Sequence, residues 1–201
     1  MKEMWNQRYA AEEFVYGTEP NLFFKQELDK RVPGRILLPA EGEGRNAVYA
    51  AWLGWDVWAF DQSAEGQKKA YKLAAERNTS IRYDLCDIGD CSYPEAFFDV
   101  IALIFVHTPA SVRQAFHRDL LRFLKPGGAL ILEGFSKEQL KYDSGGPREE
   151  SMLFSVEELR TDFEPAILRE LDRHLVQVDE GLHHRGDASV VRLIAVKRSG
   201  E

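Results

Sequence analysis

Ile36-Leu37-Leu38-Pro39-Ala40-Glu41-Gly42-Glu43-Gly44-Arg45-Asn46-Ala47 runs from an apolar strand, through a glycine-rich turn, into an alanine-rich helix. The strand spans Ile36 to Pro39, and Pro39 ends it. The helix spans Arg45 to Leu53, and Gly54 stops it. Gly42 and Gly44 allow tight backbone geometry and let a ligand lie against the main chain. The helix start presents unpaired N–H groups. A second strand follows, Asp56 to Asp61, with the apolar body Val57-Trp58-Ala59-Phe60. Asp61 ends it, placed to accept hydrogen bonds from a ribose diol. Strand, glycine-rich turn, helix, strand and acid make the general nucleoside-cofactor arrangement.

The rest of the chain extends this alternation. Ser63 reads as the N-cap of a helix to about Arg77, and Ile81-Arg82-Tyr83 as a weak third strand. Val100 to Val106 is a run of apolar residues, the mark of a central strand covered on both faces. A helix from Pro109 to Leu124, a turn at Pro126-Gly127-Gly128 and a fifth strand from Ala129 to Glu133 follow. Ser155-Val156-Glu157-Glu158 has capping-box spacing and starts a helix through Phe163. Ile167 to Val178 and Ser189 to Lys197 are two strands joined by the polar stretch Asp179 to Asp187 with no helix between them, so they pair antiparallel. On the N-terminal side, residues 1–32 read as two helical pieces split at Tyr16-Gly17-Thr18-Glu19-Pro20. The expected architecture is α/β, a seven-stranded, mostly parallel sheet with an antiparallel edge hairpin.

Composition narrows the function. The 201 residues are 44% hydrophobic and 29% charged, as in a soluble globular domain. Acidic residues outnumber basic ones, 33 to 26, for a net charge of −7, and no basic run offsets this, so nucleic acid is not expected as a partner. No apolar stretch is long enough to span a bilayer, and Met1 to Arg8 lacks a signal-peptide core, so no membrane association and a cytoplasmic location are expected. The two cysteines, Cys86 and Cys91, do not support a disulfide-stapled secreted scaffold, and without further ligands they make no zinc site. No metal is expected, the adjacent pair His183-His184 included.

Two cofactors fit the turn. Gly42-x-Gly44-x-x-Ala47, with Asp61 further on, matches the dinucleotide pattern. Glu41 and Glu43 argue the other way, because carboxylates beside a pyrophosphate repel it. S-adenosylmethionine carries a sulfonium and an ammonium and no phosphate, so acidic surroundings suit it. The glutamates pointing into solvent is the other reading.

Several segments resemble class I S-adenosylmethionine-dependent methyltransferases, within them the tellurite-resistance and thiopurine-methyltransferase-like group. These are Ile36 to Asn46, Val57-Trp58-Ala59-Phe60-Asp61-Gln62-Ser63, Tyr83-Asp84-Leu85, Phe98-Asp99-Val100-Ile101 and Leu124-Lys125-Pro126-Gly127-Gly128-Ala129-Leu130. Trp5-Asn6-Gln7-Arg8-Tyr9, Phe14-Val15-Tyr16-Gly17 and Glu19-Pro20-Asn21 resemble the group's lid segment. The resemblance implies a three-layer Rossmann-like domain over residues 33–201, preceded by a helical lid segment over residues 1–32. The family commonly has an acid in the first strand and a glycine opening the first motif; Leu38 and Ala40 stand there instead, and Glu41 is the replacement carboxylate on offer.

The implied roles follow the motifs. Ala40, Gly42 and Gly44 line the methionine end, with Glu41 and Asn46 beside them. Asp61 holds the ribose and Gln62 lies against the adenine. Asp84 accepts from the adenine amino group and the Leu85 N–H meets a ring nitrogen. Ile104 and Phe105 lie under the sulfonium. Trp5, Arg8 and Tyr16 close over the cofactor, Arg8 pairing the methionine carboxylate. His107, past the fourth strand, is the candidate general base, a structural hydrogen bond being its other reading. Gly145-Gly146-Pro147-Arg148 reads as a mobile loop that shapes the acceptor pocket. Phe97, Phe98, Phe116 and Phe123 read as core. The implied activity is methyl transfer to a small-molecule acceptor, a thiol or another soft nucleophile, with S-adenosylhomocysteine as product. A non-catalytic S-adenosylmethionine-binding domain and an NAD-dependent oxidoreductase are the rival readings.

Overall fold

The computed structural model describes residues 2–181 and 183–199; Met1, Leu182, Gly200 and Glu201, and with them the outermost ends of the two expected segments, lie outside the described residues. In chain order the elements are α1 (Lys2–Tyr9), α2 (Leu22–Leu28), β1 (Arg35–Pro39), α3 (Arg45–Trp52), β2 (Asp56–Asp61), α4 (Ala64–Glu76) and β3 (Arg82–Leu85). Then come β4 (Phe98–Ile104), α5 (Ala110–Phe123), β5 (Leu124–Phe135), α6 (Val156–Asp162), β6 (Ala166–Asp179) and β7 (Arg185–Lys197). The seven strands form one sheet in the order β3-β2-β1-β4-β5-β7-β6. β1 and β3 run parallel to β2, and β4 parallel to β5. β7 runs antiparallel to both β5 and β6, so the expected Rossmann-like sheet with an antiparallel edge is observed.

The chain divides into two compact units, Met1–Ser92 with Glu180–His183, and Tyr93–Asp179 with His184–Glu201. In the first, Ile36, Leu37 and Leu38 are fully buried, as the unbroken apolar run requires of a strand covered on both faces. Val48 of α3 packs with Leu73 and Ala74 of α4, and Phe14 and Ile81 close that cluster. The ends of these helices are set locally. Ser63 caps α4 by accepting the Gly66 N–H at 3.1 Å, Asn21 caps α2 through the Phe24 N–H, and Gly54 leaves α3 at φ +90°.

The second unit departs from the sequence expectation in two places. The fourth strand stops at Ile104 instead of continuing to Val106, because Phe105 adopts φ +55° and turns the chain out of the extended region. Pro126-Gly127-Gly128 lies inside β5 instead of before it. Phe98 pairs with Leu124 and Val100 with Ala129, so the residues between are looped out as a bulge. β7 begins at Arg185 instead of Ser189, and its pairing with β6 extends to Arg185 opposite Asp179. Phe98, Phe116 and Phe123 are buried as expected, and α6 carries both hydrogen bonds of its capping box.

Candidate functional site

The glycine-rich turn lies in the first unit between β1 and α3. Ala40, Gly42 and Gly44 all have positive φ, at 48°, 61° and 87°. Ala40 thus takes a conformation that favours glycine. Gly42 is crowded as well as twisted. A Cβ on it would lie 2.5 Å from the Tyr9 hydroxyl, and its carbonyl accepts the Tyr83 hydroxyl at 2.6 Å.

Asp61 joins this turn to the next one. Its carboxylate accepts the Gly42 N–H at 3.1 Å and the Ser63 N–H at 2.8 Å. Burial pushes the carboxyl up, against the backbone hydrogen bonds from Ser63, Gly42 and Gln62 that pull it down. A carboxylate has about four lone-pair sites, so three backbone donors leave capacity for a ligand hydroxyl.

The carboxylates of both glutamates are engaged by the protein's own groups and do not point freely into solvent. Oε1 of Glu41 accepts the Asn46 and Ala47 N–H groups at 2.8 Å each, capping α3. The start of α3, where a phosphate would bind, is therefore filled by the protein's own carboxyl group. Oε2 of Glu43 accepts the Val15 N–H at 2.9 Å and the Tyr16 N–H at 3.3 Å, while its Oε1 pairs with Lys69 Nζ at 2.8 Å. Asn46 is likewise engaged, its Oδ1 accepting the Asn21 N–H at 2.9 Å. Arg45 pairs with Glu180 at 2.8 Å. The charged and polar side chains of the motif thus fasten the N-terminal segment and the β6–β7 turn.

Burial pushes the Glu41 carboxyl up to about 7, against hydrogen bonds from Ala47 and Asn46 and the charge of Arg45. Raised from 4.5, it keeps in the folded state a proton that the unfolded chain has already released between those values. Stability contributed by this group is therefore present at low pH and lost as pH rises from about 4.5 through about 7. The loss approaches about 3 kcal/mol at about 1.36 kcal/mol per pH unit. Glu41→Gln keeps an acceptor for both N–H groups and cannot ionise. Urea unfolding at pH 5 and pH 8 is expected to show a smaller fall for the variant than for the native chain. Equal falls would mean that Glu41 ionises in the folded state as freely as in the unfolded one.

Three expected lid residues come together. Arg8 donates to the Tyr16 hydroxyl at 2.9 Å and lies over the Trp5 ring at 4.8 Å. Tyr9 completes the group, stacked on Trp5 at 5.4 Å and edge-on to Tyr16 at 6.4 Å. Tyr9 was not among the sequence candidates, although its position four residues after Trp5 puts it on the same helix face. Asn6 accepts the Ser63 hydroxyl at 2.8 Å, which docks α1 on the start of α4. Gln62 is partly buried beside Asp61, and Asp84 and Leu85 are exposed at the end of β3.

In the second unit, Ile104 ends β4 and Phe105 packs against Phe135 and His184, each at 4.6 Å. His107 takes the structural reading. Its Nδ1–H donates to the Met152 carbonyl at 2.8 Å, and its Nε2 accepts the Phe135 N–H at 3.1 Å. The ring is stacked by Phe154 and Phe135, and burial lowers its pKa to about 4. With both nitrogens bonded to backbone, neither is left to take a proton from an acceptor. The 145–148 loop is tied down: Gln139 donates to the Gly145 carbonyl at 3.1 Å, and Gly146 lies on the Phe135 ring. Among the described residues, no group of three or more His, Cys, Asp or Glu could hold a metal ion, and no helix is long and apolar enough to cross a membrane.

Residues 36–128 match a family model described as a methyltransferase domain. No curated protein matches the chain. Solved structures share its fold at low identity. One is described as "Conversion of a Disulfide Bond into a Thioacetal Group during Echinomycin Biosynthesis"; it is 18% identical, with TM-score 0.78, over 100% of this chain and 93% of that one. TehB from Haemophilus influenzae is 17% identical, with TM-score 0.74, over 98% of this chain and 67% of that one. A SAM-dependent methyltransferase from Methanosarcina mazei is 16% identical, with TM-score 0.71, over 90% of this chain and 100% of that one. The fold is that of the class I methyltransferases.

Proposed function

We propose that the protein is an S-adenosylmethionine-dependent methyltransferase acting on a small molecule, with a thiol or similar soft nucleophile as acceptor. One observation carries the choice of cofactor. The turn offers the Asp61 carboxylate, which keeps accepting capacity beyond its backbone donors, while the start of α3 is already filled by Glu41. A pyrophosphate would have to displace that carboxyl group, and a nucleoside with a cationic tail and no phosphate would not. The match of residues 36–128 to a methyltransferase domain supports the same reading and weakens the oxidoreductase one.

S-adenosylmethionine, when bound, supplies an activated methyl group open to in-line displacement. The chain's own part is to hold and to shield. Asp61 takes a ribose hydroxyl on its remaining lone pair, with Gln62, Asp84 and Leu85 toward the adenine. The Ala40 to Gly44 backbone meets the methionine end. Arg8 keeps donors beyond the one on Tyr16 for a carboxylate, and Trp5, Tyr9 and Tyr16 keep water out. Orientation of this kind supplies most of the acceleration in such a displacement. His107 takes no part in it, which favours an acceptor that reacts as an anion.

Calorimetric titration with S-adenosylmethionine, S-adenosylhomocysteine and NAD tests the proposal. Micromolar binding of the first two and none of NAD is expected. Asp61→Ala is expected to weaken S-adenosylhomocysteine by about 10- to 100-fold, the value of a hydrogen bond to a charged group. Asp61→Asn, which keeps an acceptor for the turn, separates that loss from loss of fold. Tighter binding of NAD would overturn the reading. Cofactor binding with no turnover on any thiol would favour the non-catalytic alternative.

A further inference from the structure

The structure joins Cys86 and Cys91 in a disulfide, with Cα atoms 5.9 Å apart, a pairing that the sequence expectation did not include. The crosslink sits at a particular place. β2 and β3 pair up to Asp61 opposite Leu85, and the next residue, Cys86, donates its N–H to the Asp61 carbonyl at 3.1 Å. The covalent ring therefore starts where the sheet beside Asp61 ends. Inside it, Ile88 donates to the Asp87 carboxylate at 2.7 Å and Asp90 to the Asp87 carbonyl at 3.1 Å, bonds that stay within the loop. Gly89 has φ +96° and open space around it, and both cysteines are partly exposed. A small thiol or disulfide in solution can reach this pair. In a reducing compartment such a bond forms only transiently.

We propose that Cys86 and Cys91 form a reversible thiol–disulfide site whose closure tightens the adjoining adenine end of the cofactor site. The inference rests on the proposed function for its cofactor. Closure fixes the loop that follows Asp84 and Leu85, so less ordering remains to be done when a ligand binds. The oxidant is a low-molecular-weight disulfide. One cysteine thiolate attacks it, forming a mixed disulfide and releasing one thiol. The second cysteine thiolate then displaces the other half. The two electrons and two protons lost by the cysteine pair end on the two released thiols. A dithiol reverses the exchange.

The test compares S-adenosylhomocysteine binding by calorimetry in two preparations of the full chain. One is oxidised with hydroxyethyl disulfide and the other reduced with dithiothreitol that is then removed, and intact mass verifies each state. The oxidised form is expected to bind about fivefold or more tighter, the low end of ordinary coupling. A Cys86→Ser, Cys91→Ser double variant is expected to match the reduced form and to ignore both reagents. Affinities equal within about twofold would overturn the proposal and leave the cofactor assignment standing. A double variant that binds as tightly as the oxidised form would do the same. No binding to either form would sink the cofactor reading and this inference with it.

Discussion

Glu43→Ala is expected to destabilise the protein by about 3–5 kcal/mol, the cost of leaving a buried charge without its partner. Glu43 is buried and Lys69 largely so, at 3% and 11% side-chain exposure, so solvent screens the cation left behind only weakly. Lys69 would retain the Glu13 carbonyl at 2.6 Å, which accepts a hydrogen bond but carries no opposing charge. The Val15 and Tyr16 N–H groups would lose their acceptor at the same time. Thermal unfolding is expected to drop by roughly 10 °C for a chain of this size. The same change should loosen the segment that carries Tyr16, so trypsin should cut after Arg8, and a glutamate-specific protease after Glu13, faster than in the native chain. Glu43→Gln combined with Lys69→Met removes both charges and is expected to recover much of the loss. A Glu43→Ala variant within about 1 kcal/mol of the native chain would place this pair among ordinary surface ion pairs.

Glu43 is a residue whose type is legible in the sequence and whose partners are not. Glu43 reads from the sequence as a charge beside a cofactor, since the turn carrying it is glycine-rich. Its real partners, Val15, Tyr16 and Lys69, are 28, 27 and 26 residues away in the chain. A turn motif fixes where its own backbone goes and says little about which distant segment receives its side chains. Glu41 is different, because its partners are five and six residues on. An acid just before a helix is a recognisable capping signal. The cofactor motif was the more conspicuous pattern and obscured it.

Strands and helices were legible for a simpler reason. Unbroken apolar runs such as Ile36 to Leu38 are satisfied only between two covering layers, and local caps at Ser63 and Ser155 fix where helices start. The errors lie where the backbone leaves its regular path. Phe105 in the left-handed region is a conformation that phenylalanine's own preferences argue against, so no propensity announces it. The β5 bulge uses Gly127 and Gly128, residues that signal a turn equally well. His107 shows the limit for chemistry. A histidine after a central strand is a fair candidate base until the carbonyl of Met152 and the N–H of Phe135 are seen to occupy both nitrogens.

In the second unit the largest effect is expected at Asp162, a residue that no motif marks. Oδ2 of Asp162 accepts Nε of Arg113 at 2.8 Å and Nδ1 of His117 at 2.9 Å, and all three side chains are buried. Burial alone would raise the Asp162 carboxyl, but the hydrogen bonds from His117 and Arg113 outweigh it and hold the group below its ordinary value. For His117 burial wins, and the ring is kept neutral below its ordinary value. Both shifts carry one sign. The stability they represent is present above the unfolded values of 3.8 and 6.5 and is lost as pH falls, the reverse of Glu41. Asp162→Ala leaves the Arg113 guanidinium buried, with Glu158 at 3.6 Å as its remaining carboxylate. A loss of about 3–5 kcal/mol is expected in urea unfolding at pH 7. Asp162→Asn keeps an oxygen for one donor and removes the charge, so it should fall between the native chain and the alanine variant. If the two variants lose equally, charge and not hydrogen bonding carries the interaction. If neither loses more than about 1 kcal/mol, the guanidinium is not held as a buried ion at all, and α5 meets α6 through apolar contact alone.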